Sequence, residues 1–595
     1  MNSLFGNCTS TLRRNSLLLV LSILLTLGIS TSMMAVERIY ASFSAIEMSI
    51  SVTALENYAK DGVIDDELAI YQQYLPSKQF EELQGILLTP VKVSPAVVSQ
   101  FLYTPQGELL LRRLATAIKT ESQRPQKAFH ALRSALISAA AEPGGLTLLN
   151  LLRKYPYSSI HIDLRRSFAI AGELEKVINE TNRAIAAVTK KSHIEAATVP
   201  KPLDFWQLAD LRGQGQFQPQ KYTLRFFDST RNRQLLTDVY VPHVQSPAPV
   251  IVISHGLGTD SSNFQYLATY LASHGLAVVV PNHPGSDAKQ LQSSLHEQAS
   301  EVIEPDEFLD RPLDVKYVLN QLEKSNQYDS RFRGRLNLQQ VGVFGQSLGG
   351  YTALALAGAK INFEQLEQDC QPEALQKSWN MSLLFQCRAL PLNHSQSSPE
   401  YNLQDARVKA AIAVNPITSS IFGEAGLSQI QTPVMIVGSS DDTVAPALYE
   451  QILPFSWLTN SSKYLVMLLG GTHFSTIGEG NPISQQVPLP ADVVGDTSQA
   501  RYYMNVLSLS FCQTYVAGKS QYIPYLNAAY AKNISSQSLG LNIIKSLSKT
   551  ELIQALSRDS NKTQPLKLQS PNPIVNFGFW MLEVGVALLH VTIFI

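Results

Sequence analysis

The chain has 595 residues, of which 45% are hydrophobic, and a net charge of −1 from 47 Lys and Arg against 48 Asp and Glu. This length allows several domains with sizeable cores. The balanced charge argues against a nucleic-acid-binding protein, and the hydrophobic content argues against a disordered one.

The first residues are basic and then apolar. Arg13 and Arg14 precede the apolar run 17–35, and small residues are scattered through the second half of that run. This order predicts a signal peptide at residues 1–35, with an uncleaved N-terminal anchor as the alternative. We therefore expect an exported protein, periplasmic or extracellular. If the segment is instead an uncleaved anchor, it would hold the protein at the membrane.

Residues 36–190 have the pattern of an all-helical accessory domain. The alternating stretch Tyr40–Val52 predicts one short strand pair, and amphipathic helices separated by Pro, Gly, Ser or Thr follow it. A longer helix is expected over Arg165–Ala187. Because the region holds no cluster of catalytic or metal-ligating residues, we predict an accessory role, with a lid or a docking surface for membrane or partner as alternatives. A polar linker is expected at residues 191–219.

From residue 220 the pattern changes to alternating strands and helices. Strands are predicted at Lys221–Phe227, Leu236–Val241, Pro249–Ser254, Ala277–Pro281, Gln340–Phe344, Val408–Val414, Pro433–Gly438 and Tyr464–Leu469. Continuous apolar runs such as Pro249–Ser254 are typical of strands buried on both faces. The alternation predicts an α/β domain at residues 220–540, with a mostly parallel sheet between two layers of helices.

A polar insertion at residues 360–407 interrupts this domain and is long enough to form a cap over a site. It contains Cys370 and Cys387. An exported location would permit a disulfide between them, which we expect, and two buried thiols are the alternative.

Residues 541–595 are predicted to be a polar segment and an apolar tail. The stretch Ile574–Ile595 is long enough to span a bilayer, but Glu583 and His590 lie within it, and charge is costly there. A membrane tail, a docked C-terminal helix and a non-native tail from a shifted reading frame are three alternatives.

A strand, a sharp turn and a helix surround Ser347. The turn is Gly345-Gln346-Ser347-Leu348-Gly349. The two glycines let the flanking backbones approach closely, so that the serine hydroxyl is exposed at the tip. The N-terminus of the following helix favours negative charge beside that hydroxyl. The motif predicts a nucleophilic serine, although taken alone it also fits an ordinary glycine-rich loop.

Two acidic residues and a histidine follow two later strands. A serine needs a base within hydrogen-bond reach, and the base needs a carboxylate that orients it. We therefore predict Ser347 as nucleophile, His473 as base and Asp442 as the carboxylate, with Asp441 as the alternate acid. Asp442 is preferred because it lies four residues before Pro446. The order Ser, Asp, His is that of α/β-hydrolases.

The sequence H-G-L-G at residues 255–258 follows another buried strand. In such folds this position supplies one donor to the developing negative oxygen, and the residue after the nucleophile supplies the other. The predicted oxyanion hole is thus the backbone N–H groups of Leu257 and Leu348. His255 is predicted to shape this loop and not to act as a base, and His283 to line or support the pocket mouth.

The motifs resemble those of α/β-hydrolases of the dienelactone-hydrolase and platelet-activating-factor-acetylhydrolase type. The matching pieces are H-G-L-G, G-Q-S-L-G-G, S-D-D-T-V-A-P and G-G-T-H-F, within residues 221–532. With the earlier segments V-E-R-I-Y and S-Q-F-L-Y-T-P-Q-G-E, the whole arrangement is similar to a family of exported cyanobacterial hydrolases.

This resemblance implies esterase or lipase-like activity on carboxylic esters, lipid esters included, with no metal or organic cofactor. Its substrate would be a small molecule or a lipid, and the apolar ends of the chain would associate with membrane. Peptide or thioester cleavage is an alternative within the same mechanism. A catalytically inactive binding protein of the cell envelope, built on the same fold, is the alternative from another class.

Overall fold

The computed structural model describes residues 36–44, 46–72, 77–91, 95–103, 105–121, 124–198, 208–295, 303–394, 401–480 and 497–557. The predicted signal or anchor and the apolar tail lie outside these residues. No helix within the described ranges has both the length and the apolar character needed to cross a membrane. The described chain divides into two compact units, the first with residues up to 95 and 114–167, and the second with residues 96–113 and 168–557.

The first unit contains a small sheet in addition to its helices. Its described strands are β1 (Arg38–Phe43), β2 (Ile46–Ser51), β3 (Ile118–Lys119) and β4 (Ser159–Asp163), in the order β2-β1-β4-β3. β1 and β2 form an antiparallel pair, which confirms the predicted strand pair. The region is otherwise largely helical, as predicted, but its described residues contain two strands that were not predicted: β4 pairs in parallel with β1, and β3 pairs antiparallel with β4. Such pairing joins stretches far apart in sequence, and local periodicity carries no signal for it.

Eight helices precede the large sheet in the described chain. They are α1 (Val52–Asp61), α2 (Asp66–Gln72), α3 (Ser77–Leu88), α4 (Pro95–Leu102), α5 (Pro105–Ala117), α6 (Pro125–Ala140), α7 (Leu148–Lys154) and α8 (Leu164–Thr198). α8 runs through the predicted domain boundary at residue 190, so the predicted linker begins inside a helix. The reason is tertiary packing, since Ala184, Ile185 and Val188 are buried in a core of the second unit.

The second unit is organised around a mostly parallel sheet. Nine strands in the described residues form it, in the order β13-β12-β11-β10-β9-β7-β8-β6-β5. The strands are β5 (Gln220–Asp228), β6 (Arg233–Val241), β7 (Ala248–Ser254), β8 (Ala277–Pro281), β9 (Leu336–Gln346), β10 (Val408–Val414), β11 (Val434–Ser439), β12 (Lys463–Leu469) and β13 (Gly540–Ile544). The run from β8 through β7, β9, β10 and β11 to β12 is parallel.

All eight strands predicted after residue 220 are present, and β13 is an addition. β13 pairs antiparallel with β12 at the edge of the sheet. The sheet therefore continues to Ile544, past residue 540, where the sequence analysis ends the domain. A five-residue edge strand is too short to give a periodic signal, so its strand state depends on the neighbour with which it pairs.

Helices cover both faces of this sheet. The helices that the structure describes after residue 220 are α9 (Gln265–Ser273), α10 (Ala288–Leu295), α11 (Glu307–Tyr328), α12 (Leu348–Leu356), α13 (Phe363–Asp369), α14 (Pro372–Lys377), α15 (Met381–Gln386), α16 (Gly423–Leu427), α17 (Leu453–Trp457), α18 (Thr497–Tyr515), α19 (Ala528–Ile534) and α20 (Lys549–Ser557). Alternate strand residues point to opposite faces. In β7, Ile251 and Ile253 pack with α9 and α18, whereas Val250 and Val252 pack with α11. The predicted arrangement of a sheet between two helical layers is confirmed.

The described part of the insertion, residues 360–394 and 401–407, contains three short helices, α13 to α15, and a 3-10 helix, Cys387–His394. Cys370 and Cys387 form a disulfide, with Cα atoms 5.6 Å apart. The bond joins the end of α13 to the end of α15 and so closes the insertion on itself.

The buried carboxylate of Glu450 anchors this insertion to the rest of the unit. It accepts hydrogen bonds from the side chains of Asn380 and Gln386, both in the insertion. It also accepts from the backbone N–H groups of Thr418 at 2.6 Å and Ser419 at 2.9 Å, which follow β10. Since a buried carboxylate is stable only when it is well hydrogen-bonded, this contact holds the insertion firmly in place.

Candidate active site

Three of the predicted side chains meet at the carboxyl ends of the parallel strands. Ser347 follows β9, Asp442 comes after β11 and His473 after β12. The Ser347 Oγ lies 3.0 Å from His473 Nε2, and His473 Nδ1 lies 2.7 Å from Asp442 Oδ2. His473 and Asp442 are buried, and Ser347 is partly exposed. A hydroxyl, an imidazole and a carboxylate in this order can transfer a proton away from the hydroxyl.

The turn at Ser347 has the strained backbone that its sequence predicts. Ser347 has φ 55° and ψ −118°, and its N–H donates to the Val414 carbonyl at 2.8 Å. A Cβ at Gly345 would lie 1.8 Å from the Gly349 carbonyl oxygen, and one at Gly349 would lie 2.0 Å from the Ser254 carbonyl oxygen. Only glycine fits at both positions, and the close approach aims the serine hydroxyl outward.

The two neighbouring aspartates, Asp441 and Asp442, have different surroundings in the structure. Asp442 Oδ1 accepts from the backbone N–H groups of Val444 at 2.9 Å and Ala445 at 2.7 Å, which leaves Oδ2 directed at His473. Asp441 is exposed and accepts a hydrogen bond from its neighbour Ser440. Asp442, which the sequence favoured, is therefore the carboxylate against the histidine, and the alternate Asp441 is not.

Two buried amides that the sequence analysis missed hold the main chain of His473. Its carbonyl oxygen accepts from Gln346 Nε2 at 3.1 Å and from Asn415 Nδ2 at 3.3 Å. Asn415 follows β10 with φ 42°, a left-handed conformation that asparagine tolerates. Gln346 lies inside the serine motif, and Asn415 lies at a strand end, where polar residues are functional candidates. Their positions in the sequence could therefore have marked both as candidate site residues.

The two predicted oxyanion donors lie on loops that the sheet brings together. β7 and β9 pair in parallel up to Ser254 and Gly345, so the loop at residues 255–258 lies beside the serine turn. Leu348 is the first residue of α12, where no preceding helical carbonyl can accept its N–H. Among the described residues, no backbone or side-chain acceptor pairs with the N–H of Leu257 or of Leu348.

His255 and His283 are both fully buried. Burial, followed by the positive charge of Arg311, lowers the pKa of both rings well below the ordinary value, so both are neutral. Because it is fully buried, His283 does not line the pocket mouth, and of its two predicted roles only the supporting one fits the structure. No group of three or more His, Cys, Asp or Glu in the described chain is arranged to hold a metal ion.

Two protein-family models match the chain. One, described as an alpha/beta hydrolase of unknown function (DUF1400), matches residues 35–163. The other, described as the alpha/beta hydrolase fold, matches residues 249–366, which include Ser347 and the loop at 255–258. Comparison with curated proteins gives no match. The finer resemblance to the dienelactone-hydrolase and acetylhydrolase type, and to exported cyanobacterial hydrolases, stays a prediction.

Proposed function

The chain has the α/β-hydrolase fold, preceded by a largely helical region, and from this premise we propose that it is a serine hydrolase that cleaves carboxylic esters. The observation that carries the proposal is the continuous contact from Ser347 through His473 to Asp442, at 3.0 and 2.7 Å. A serine hydroxyl is a weak nucleophile on its own, and a base in direct contact is what activates it.

In the proposed reaction, the Ser347 Oγ attacks the ester carbonyl carbon while His473 Nε2 takes its proton. The carbonyl oxygen becomes negative and accepts hydrogen bonds from the Leu257 and Leu348 N–H groups. The intermediate collapses, the alcohol leaves with the proton from His473, and the acyl group stays on Ser347. Water then attacks this acyl-enzyme, again giving its proton to His473, and the acid leaves as Ser347 is reprotonated.

Asp442 orients His473 throughout this cycle. Its Oδ2 accepts the Nδ1–H of His473, which leaves Nε2 unprotonated and facing the serine. When His473 becomes an imidazolium, the same carboxylate stabilises the positive charge.

Esters, lipid esters included, are the proposed substrates because of the resemblance described above. Thioesters and peptides react by the same steps, and the choice among them depends on how the pocket fits each leaving group. A panel of p-nitrophenyl esters of increasing acyl length, with a matched thioester and anilide, measures that preference directly.

The test of the proposed function is labelling with a fluorophosphonate probe, which reacts with activated serines. Wild type should label, Ser347→Ala should not, and His473→Ala should label far more slowly. Ser456→Ala is the matched control, because Ser456 donates to the Leu453 carbonyl in α17, away from the site, and should leave labelling unchanged. A folded wild type that does not label would refute the proposal and favour the binding-protein alternative.

We also propose that the protein is exported. The Cys370–Cys387 disulfide supports this, because such bonds persist in oxidising compartments. The apolar segments at both ends of the chain would then attach it to membrane. Cell fractionation, combined with thiol labelling of the denatured protein before and after reduction, tests this. A cytosolic protein with both cysteines reduced would contradict it.

A further inference from the structure

A cluster of buried polar side chains lies behind the oxyanion loop at residues 255–258, and the mechanism above uses none of them. Its members share nearly complete burial and direct hydrogen bonds to one another or to the loop: Ser254, His255, His283, Ser286, Glu307, Arg311 and Asp314. Burying so many polar groups is costly, and in the described residues the Nε and Nη1 of Arg311 have no hydrogen-bond partner, so the arrangement calls for a specific role.

His255 bonds to the carbonyl of the next residue. Its Nδ1 is 2.7 Å from the Gly256 oxygen, and its Nε2 is 3.0 Å from the backbone N of His283. Because a backbone N–H can only donate, Nε2 is the acceptor and Nδ1 carries the proton. His255 Nδ1–H therefore donates to the Gly256 carbonyl. Thr259 Oγ1 donates to the same oxygen at 3.1 Å.

The Gly256 carbonyl belongs to the same peptide group as the Leu257 N–H. In a planar trans peptide the C=O and the N–H point in opposite directions. A bond that fixes the Gly256 carbonyl therefore also fixes the direction of the Leu257 N–H. The contact from His255 thus sets the orientation of the proposed oxyanion donor.

The His255 ring is itself held by His283. The His283 Nδ1 lies 3.0 Å from Asp314 Oδ2, and its Nε2 lies 3.0 Å from Ser254 Oγ. Asp314 is held in turn by Arg233, at 2.9 and 2.7 Å, and by Arg231 at 2.8 Å. These contacts leave His283 little freedom, and its backbone N–H is the group that meets His255 Nε2.

Two further contacts hold the loop on either side of the Gly256–Leu257 peptide. Arg311 donates to the carbonyl oxygen of His255. Gly258 N–H donates to the Ser286 carbonyl at 2.9 Å, and the Ser286 hydroxyl donates to the buried Glu307 carboxylate. The peptide is therefore fixed before, at and after the oxyanion donor.

We propose that His255 is a positioning residue whose imidazole, held by His283 and supported by Arg311, fixes the Gly256–Leu257 peptide so that the Leu257 N–H faces the oxyanion. This inference rests on the proposed function. It gives His255 a defined task, which is to align a donor that stabilises charge present only in the tetrahedral intermediate.

The test compares four variants of the full-length protein with wild type. His255→Leu removes the donor and keeps a bulky apolar side chain, and His255→Asn retains an N–H where Nδ1 lies. Thr259→Val removes the second donor to the same carbonyl. His274→Leu is the matched control, because His274 contacts the Gly213 carbonyl at the opposite end of the sheet, before β8. The readouts are kcat and KM for p-nitrophenyl acetate and the affinity for a trifluoromethyl ketone, which forms a tetrahedral adduct with an active serine.

His255→Leu should lower kcat and ketone affinity by similar factors, about 100-fold, with KM within about threefold of wild type. His255→Asn should recover activity to within about tenfold, and Thr259→Val should lose about threefold in both readouts. A merely structural role would lower the melting temperature without this matched loss of kcat and ketone affinity.

The inference is overturned if His255→Leu loses no more kcat or ketone affinity than His274→Leu, or if His255→Asn is as impaired as His255→Leu. Should the Leu variant fail to fold, His255→Asn decides, and a loss there of more than about tenfold in both kcat and ketone affinity refutes the inference. A wild type that reacts with neither ketone nor fluorophosphonate overturns the proposed function as well. A reactive wild type with an unaffected His255→Leu overturns this inference alone.

Discussion

Replacing Asp442 by asparagine tests the proposed mechanism at a single atom. The backbone N–H groups of Val444 and Ala445 both donate to Oδ1, so the amide oxygen of an asparagine must take that position. Its NH₂ group then replaces Oδ2, 2.7 Å from His473 Nδ1. Two donors cannot share a hydrogen bond, so His473 must carry its proton on Nε2 and can no longer accept one from Ser347.

The expected loss in kcat is about 10⁴-fold, which corresponds to about 5.5 kcal/mol of transition-state stabilisation. The fold should persist, because asparagine has nearly the same shape and keeps both backbone contacts. Hydrolysis of p-nitrophenyl acetate measures kcat, and circular dichroism verifies the fold.

Asp441→Asn is the matched control, since it makes the same chemical change one residue away on an exposed side chain. Its kcat should stay within about twofold of wild type. The reasoning is refuted if the two variants lose similar activity, or if Asp442→Asn keeps more than about a tenth of the wild-type kcat.

Three further predictions concern stability. Glu450→Ala should lower the free energy of unfolding by about 3–5 kcal/mol, because the buried donors that face this carboxylate lose their acceptor. Urea denaturation measures this free energy, and a loss below about 1 kcal/mol would contradict the anchoring role. Replacing Cys370 and Cys387 together by serine should lower the free energy of unfolding by about 3 kcal/mol, since the disulfide closes a loop of 17 residues in the unfolded chain. A melting temperature that neither the substitution nor a reductant lowers would contradict this prediction. Burial raises the pKa of Asp287 in the folded protein to about 6. The carboxyl group of Asp287 in the unfolded chain loses its proton at lower pH, so the free energy of unfolding falls as the pH rises from about 4 to about 6. Asp287→Asn should remove this part of the decline, and a difference between wild type and variant that stays constant from pH 4 to pH 7 would exclude it.

The central strands could be predicted from sequence because each is buried on both faces. A run such as Pro249–Ser254 is apolar at every position, and local composition alone then identifies it. β4 and β13 were missed for the opposite reason. Each is a short strand whose conformation depends on a neighbour, β1 for the first and β12 for the second.

The residues of the candidate site also differ in how far the sequence predicts them. Ser347 and His473 could be located because each follows an apolar strand within a recognisable motif. The choice of Asp442 over Asp441 depends on which carboxylate the turn after β11 presents to the histidine, and only the backbone path decides that. The amide contacts to the His473 carbonyl come from Gln346 and Asn415, which lie 127 and 58 positions away in the chain, so their pairing with this carbonyl follows from the fold and not from a local pattern.

The membership of residues 96–113 in the second unit has a consequence for the order of synthesis. Arg113 donates to the carbonyl of Leu375, which lies 262 residues later in the chain. At 5–20 residues per second, the ribosome needs roughly 13 to 50 seconds to add that length. During this interval Arg113 lacks the Leu375 carbonyl that it contacts in the finished protein. Residues 96–113 can therefore complete their contacts with the second unit only after the insertion at residues 360–407 has been synthesised.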